Sequence, residues 1–257
     1  MAIASVIYLR RTNPKSTQPA TANPPDSKKA TTTPNTLLVN STHPLPNDYH
    51  PDDLVNLYTQ EDRHFSLMSA DIQVSKPVFT AMNKMFSAAT QDGVKGFVIT
   101  SGYRTRKEQK QLYRTTANGT AAKPGESEHE TGLAFDVGAK EYTDFDQSPQ
   151  FEWISKHCAD YGFILRYPKD REDVTGYPFE PWHYRYVGKK AAKAITGKGI
   201  TLEQYHEEQN NQKEVSTSIL VCHPATGEGR VKPDQRSSKS STTTESYCHY
   251  SCQRGNG

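Results

Sequence analysis

Between residues 72 and 89 apolar side chains recur at Val74, Val78, Ala81, Met82, Met85, Phe86 and Ala89, a period near 3.6 that predicts an amphipathic helix. Asp92-Gly93 ends that pattern. Residues 96–100, Gly-Phe-Val-Ile-Thr, form a short β-rich run into Ser101-Gly102, which predicts a strand entering a turn. Thr105 predicts the cap of a helix over 106–115, with Glu108 as its capping-box partner. The polar, Gly- and Pro-containing stretch 118–131 predicts a loop long enough to be functional. Beyond it the pattern predicts strands over 133–137, 163–167 and 182–187. It also predicts helices over 150–161, with Phe151, Ile154, Cys158 and Tyr161 on one side, and over 189–195. Strands and helices mix without a βαβ rhythm. The expected class is therefore α+β: a single compact domain with a small, mainly antiparallel sheet and flanking helices, between disordered ends.

The ends read differently from the middle. Residues 10–35 are Thr, Pro, Ala, Asn, Ser and Lys with almost no large apolar side chain, the composition of a solvated linker. Ahead of them, residues 1–9 are mostly apolar or small and are followed by Arg10-Arg11. That run is shorter than the ~20 residues a membrane span needs, and its positive charge follows the apolar part, unlike a signal peptide. A remnant of a longer anchor and an N-terminus without a role both stay open, and with them attachment to a membrane. From Asn210 the chain turns to Asn, Gln, Ser, Thr and Lys around a short apolar Ile219-Leu220-Val221, too little for a core. The expected division is a leader and linker over 1–36, a folded domain over 37–209 and a disordered tail over 210–257.

Composition agrees with part of the chain being unfolded, at 33% hydrophobic residues. The 31 basic and 29 acidic residues nearly cancel, to +2, and no basic run reads as a nucleic-acid patch. No nucleic-acid partner is expected. Four cysteines, Cys158, Cys222, Cys248 and Cys252, form no CxxC pair. Cys248 and Cys252 flank His249 but lie in low-complexity sequence, so tail thiols are the plainer interpretation.

Chemistry concentrates in two blocks, Ser127-Glu128-His129-Glu130-Thr131-Gly132-Leu133-Ala134-Phe135-Asp136 and Glu180-Pro181-Trp182-His183-Tyr184-Arg185-Tyr186-Val187-Gly188. Together they supply two histidines and one carboxylate as metal ligands, plus a spare Glu three residues before the second histidine. Two nitrogens and one oxygen suit Zn²⁺ and leave its fourth position for water, the pattern of a catalytic site, and the spare Glu suits a general base. Strand alternation sends Leu133, Phe135 and Val137 to one face and Ala134 and Asp136 to the other. His129 falls in the preceding loop, and His183 shares a strand face with Arg185, which is expected to serve as a structural ion-pair partner. One spacing resists a straight strand: Glu180 and His183 would point to opposite faces unless Pro181-Trp182 forms a turn or bulge.

At these residues the chain resembles the VanY-type D-alanyl-D-alanine carboxypeptidases, which include related L,D-carboxypeptidases. Ser101-Gly102-Tyr103-Arg104-Thr105, Gln109 and Leu112-Tyr113 fit the same pattern, so three separated blocks occur in the family's order. The resemblance implies a zinc-peptidase domain with His129, Asp136 and His183 as Zn²⁺ ligands and Glu180 as the base. It implies Arg104 near the scissile carbonyl or the terminal carboxylate, with Ser127 and Tyr103 as further contacts to the peptide end. It also implies peptidoglycan stem peptides as substrate, D-alanine as product and a location in the cell envelope, outside the cytoplasm. A peptidoglycan endopeptidase of the same zinc superfamily, and a non-catalytic wall-binding protein that keeps zinc for folding, remain as alternatives.

Overall fold

A computed structural model describes residues 35–116 and 121–221, the last nine as backbone. The expected leader, most of the linker and the tail beyond Val221 lie outside the described residues. The chain divides into two compact units, residues 1–212 and 213–257, and every residue of the site described below belongs to the first.

The described elements run β1 (Leu54–Asn56), β2 (Ser66–Leu67), β3 (Gln73–Ser75), α1 (Lys76–Gln91), β4 (Phe97–Ser101), α2 (Arg106–Thr115), β5 (Ala134–Ala139), α3 (Pro149–His157), β6 (Phe163–Leu165), α4 (Glu172–Thr175), β7 (His183–Tyr186), α5 (Lys189–Lys198) and α6 (Leu202–Val221). Short 3₁₀ turns occupy Glu128–Thr131, Phe145–Gln147 and Cys158–Tyr161. Five strands form one sheet in the order β2-β4-β5-β7-β6, antiparallel except for β2 beside β4. β1 and β3 make a separate antiparallel pair. The α+β expectation holds.

The first predicted helix starts later than its apolar pattern. Ile72 lies outside any helix, Gln73–Ser75 form β3, and α1 begins at Lys76. Pro77 is the reason. It has no N–H to offer the Gln73 carbonyl and its ring would collide with it, so a helix cannot run a full turn upstream of Pro77. The freed backbone groups tie down neighbours instead: Gln73 O accepts from Tyr103 N at 2.6 Å, and Ser75 N donates to Gly132 O at 2.9 Å.

From there the expected stripe packs onto the sheet. Val78, Met82, Met85, Phe86 and Ala89 of α1 are buried. Phe86 meets Phe97 of β4 at 4.6 Å and Phe135 of β5 at 6.2 Å between ring centroids. Burying each such side chain contributes about 1.5–3 kcal/mol, so this layer makes the sheet a rigid floor.

α2 occupies the predicted span. Thr105 accepts from Glu108 N, and Glu108 accepts from Thr105 N at 2.9 Å, the complete capping box. The predicted 150–161 helix instead splits into α3 and the 3₁₀ turn at Cys158–Tyr161. Gly162 then reverses the chain at φ 93°, where an added Cβ would lie 2.8 Å from Tyr186 and 3.1 Å from Gly188.

Some elements escaped the sequence. β1, β2 and β3 are two or three residues long, too short for a period to show. α6 runs past the expected boundary at Gln209. Its start carries a Thr201-x-x-Gln204 capping box, with Gln204 N donating to Thr201 Oγ at 3.3 Å and Thr201 N to Gln204 Oε1 at 3.0 Å. No Gly or Pro follows to stop it before Val221. Among the described residues no helix is long and apolar enough to cross a membrane.

Candidate metal centre and active site

Antiparallel pairing of β5 with β7 sets Asp136 directly opposite His183. Phe135 and Val137 point into the core against α1 and are fully buried, so alternation sends Asp136 to the other face, as predicted. On the other side of β5, the β4 register shifts between Ile99 and Ser101, a bulge that sets Ser101 opposite Asp136. Three strands thus converge on one carboxylate.

His129 reaches the same point from the 3₁₀ turn Glu128–Thr131, where the predicted loop tightens. Gly132 closes the turn at φ 71°, with Ser75 Oγ 2.9 Å from where a Cβ would sit. Glu130 braces the loop before it by accepting from Gly125 N at 2.6 Å and pairing with Arg106. His129 Nδ1 lies 2.7 Å from Gly102 O. A carbonyl only accepts, so Nδ1 carries the hydrogen and Nε2 keeps a lone pair, 3.3 Å from Asp136 Oδ2.

His183 completes the group. Its Nδ1 is 3.1 Å from Asp136 Oδ1 and 3.8 Å from Glu180 Oε2. The difficulty of the Glu180–His183 spacing disappears, because β7 starts only at His183 and the preceding residues form a turn closed by His183 N donating to Glu180 O at 3.2 Å. Tyr167 packs its ring 5.0 Å from the His183 ring. Ligand atoms of His129, Asp136 and His183 all fall within 4.8 Å of one another. Glu180 stands beside this group, not in it.

Burial opposes the Asp136 carboxylate, but the adjoining His129 and His183 outweigh it and hold the carboxyl well below the usual range. On Glu180 burial prevails. With His183 only partly offsetting it and Asp136 adding repulsion, its carboxyl is pushed up to about 7. Two carboxylates a few ångströms apart are thus driven in opposite directions, a frequent mark of divided chemical labour. Burial also lowers the Arg104 guanidinium against the pull of Asp136.

Arg104 is fixed by Nη1 donating to Gln109 Oε1 at 2.7 Å and Nη2 to Ser101 Oγ at 3.1 Å. Its backbone N–H donates to His129 O at 3.1 Å, so the cation is tied to the turn that carries His129. Tyr103 is half-buried beside Gly102, whose carbonyl holds His129. Ser127 is buried at the entry to the 3₁₀ turn, where its carbonyl accepts from Glu130 N at 3.1 Å. Trp182, in the turn before β7, is 43% exposed.

Sequence reasoning missed what lies behind the histidines. Arg185 is a buried ion-pair partner as expected, and its carboxylate is Glu128, at 2.6 Å. Arg166 donates to the same Glu128 oxygen at 2.7 Å and to Glu203 of α6 at 3.0 Å. Asn40 Nδ2 caps the cluster with a 3.3 Å bond to Glu203. The paired arginines outweigh burial and hold Glu128 well below the usual carboxylate range. Only Arg185 carried a signal, as a cation alternating with His183 on one strand.

The chain is similar to known proteins over the part that carries this site. The family model VanY, D-alanyl-D-alanine carboxypeptidase, matches residues 71–189. A D-alanyl-D-alanine carboxypeptidase of Enterococcus faecium is 36% identical over 187 residues, covering 72% of this chain and 61% of that protein. The chain therefore spans about six-tenths of that relative's length. The bifunctional D-Ala-D-Ala dipeptidase and carboxypeptidase VanXYC of Enterococcus gallinarum is 38% identical, covering 67% of this chain and 94% of the relative. Among solved structures, the LdcB LD-carboxypeptidase aligns with TM-score 0.61 and 38% identity over 68% of this chain and 87% of its own. A point mutant of the vancomycin-resistance D,D-pentapeptidase VanY, in complex with Zn(II), aligns with TM-score 0.53 and 30% identity over 66% of this chain and 98% of its own.

Proposed function

The chain belongs to the VanY family of D-alanyl-D-alanine carboxypeptidases, and on that premise we propose that it is a zinc-dependent carboxypeptidase removing the C-terminal D-alanine from peptidoglycan stem peptides. The observation that carries this reading is the convergence of His129, Asp136 and His183 within 4.8 Å, with Glu180 adjoining. Asp136 Oδ1 is buried and accepts no hydrogen bond, although His183 Nδ1 is near. A cation bound here would satisfy that oxygen, and two imidazole nitrogens with one carboxylate oxygen suit Zn²⁺. Bound zinc would supply a Lewis acid that draws the pKa of a water from ~15.7 toward ~7.

The remaining work falls to side chains. Glu180, with its carboxyl near 7, suits taking a proton from the attacking water and returning it to the leaving amine near neutral pH. Arg104 presents a guanidinium, held by Gln109 and Ser101, to the developing oxyanion or the terminal carboxylate. Ser127 and Tyr103 are proposed as further contacts to the peptide end. Such a substrate lies outside the cytoplasm, so the enzyme is proposed to act in the cell envelope.

Mass spectrometry of defined tripeptide, tetrapeptide and pentapeptide stems, with and without chelator, tests the proposal. Metal-dependent loss of one D-alanine is expected. Cleavage of the tetrapeptide marks an L,D-carboxypeptidase and of the pentapeptide a D,D-carboxypeptidase. Release of no D-alanine from any of the three stems, or turnover that survives exhaustive chelation, would overturn it.

A further inference from the structure

Behind His183 lies a charge cluster that the proposed chemistry does not use. Glu128 is buried, and its Oε1 accepts from both Arg166 Nε at 2.7 Å and Arg185 Nη1 at 2.6 Å. Both arginines crowd one carboxylate oxygen and leave the other free. Oε2 is buried and accepts no hydrogen bond. His183 Nε2 faces it, equally buried and equally without a partner. The two atoms are 3.5 Å apart, while an N–H···O bond spans about 2.7–3.2 Å. A small rotation satisfies both, and nothing else among the described residues satisfies either.

The two nitrogens of His183 therefore face different tasks. Nδ1 points to Asp136 and Glu180, and Nε2 points to Glu128. We propose that Glu128 is a positioning residue for His183: its free oxygen accepts the Nε2–H, which holds the ring and leaves the Nδ1 lone pair for the metal. The inference rests on the metal reading above. A carboxylate on the far nitrogen fixes the tautomer of a ligating imidazole and makes it a better donor. Arg166 and Arg185 keep that carboxylate charged and stationary, and Glu203, from the first turn of α6, holds Arg166 in turn with bonds to both Nη1 and Nη2. A purely structural Glu128 would neutralise two buried arginines and have no bearing on His183.

Zinc affinity, measured by competition with a chromophoric chelator, separates the two roles. Glu203→Gln disturbs the same ion cluster without touching His183 and should bind zinc much as wild type does. Glu128→Gln should bind about 10- to 100-fold more weakly, the usual cost of losing such a partner. If Glu128→Gln fails to fold, Glu128→Asp keeps a charge for the arginines but draws the carboxylate back by one methylene, and the same weakening is expected. In parallel, ¹⁵N NMR of the zinc-loaded wild type should find His183 protonated at Nε2. Wild-type affinity in the Glu128 variant, an equal loss in Glu203→Gln, or an unprotonated Nε2 would each overturn the inference alone. Failure of the wild type to bind zinc would instead remove the metal reading on which it stands.

Discussion

Asp136 and His183 are cross-strand partners, with Oδ1 and Nδ1 3.1 Å apart at the one place where β5 and β7 carry chemistry on the same face. A one-residue slip of either strand would turn its member of the pair into the core. The hydrophobic alternation that packs Phe135 and Tyr184 together, rings 6.0 Å apart and stacked, therefore also holds the register of the candidate metal centre. Register and site are one constraint.

Metal dependence is the first outcome expected from the proposed function. Three protein ligands leave none in reserve, so His129→Ala, Asp136→Ala and His183→Ala should each lose bound zinc and hydrolytic activity together. Metal content after dialysis, beside turnover of a stem peptide, checks this. A variant that keeps both would remove its residue from the ligand set.

Glu180→Gln tests base against ligand. The amide keeps the shape but cannot take a proton, so zinc should stay bound while kcat falls by ~10² to 10⁴. Loss of the metal in this variant would make Glu180 a ligand, contrary to its place outside the three-residue group.

Arg104 bears on specificity. An exopeptidase must recognise a free carboxylate, for which a fixed guanidinium offers paired donors. Arg104→Ala should lose at least ~10-fold in kcat/KM on free-acid stems, equivalent to about 1.4 kcal/mol. Amidating the substrate's C-terminus should cost the wild type a similar factor. Equal cleavage of amide and acid would point to the endopeptidase alternative.

Cys158 gives a check independent of the site. Burial pushes its thiol up to about 12, and the thiolate is the reactive form. Because the folded pKa is raised, the native protein near pH 8 holds almost no Cys158 thiolate. Alkylation followed by peptide mapping should find Cys158 unmodified under native conditions and modified in denaturant. Rapid native labelling would show that the layer between α3 and β6 opens easily.

Much of the fold was legible along the chain. The capping box at Thr105 and Glu108, the α1 stripe, and the alternation that turns Asp136 away from Phe135 are all local patterns, set by helix and strand periods that need no distant partner. The two blocks around His129 and His183 named the candidate ligands, because residue type and order carry that chemistry whatever the fold.

Other features needed the third dimension. Residues 72–75 carry helical spacing, yet Pro77 blocks the helix and β1 takes residues 73–75 as a partner strand. The turn at Pro181-Trp182 is what lets Glu180 join His183. Glu128, Arg166 and Glu203 were invisible as a group: Arg166 lies 38 residues from one partner and 37 from the other. In the sequence each is an ordinary charged residue of the kind that usually stays in water. Sequence order determined which groups could bind a metal. Only burial, which makes an unpaired charge intolerable, decided which charges had to find one another behind it.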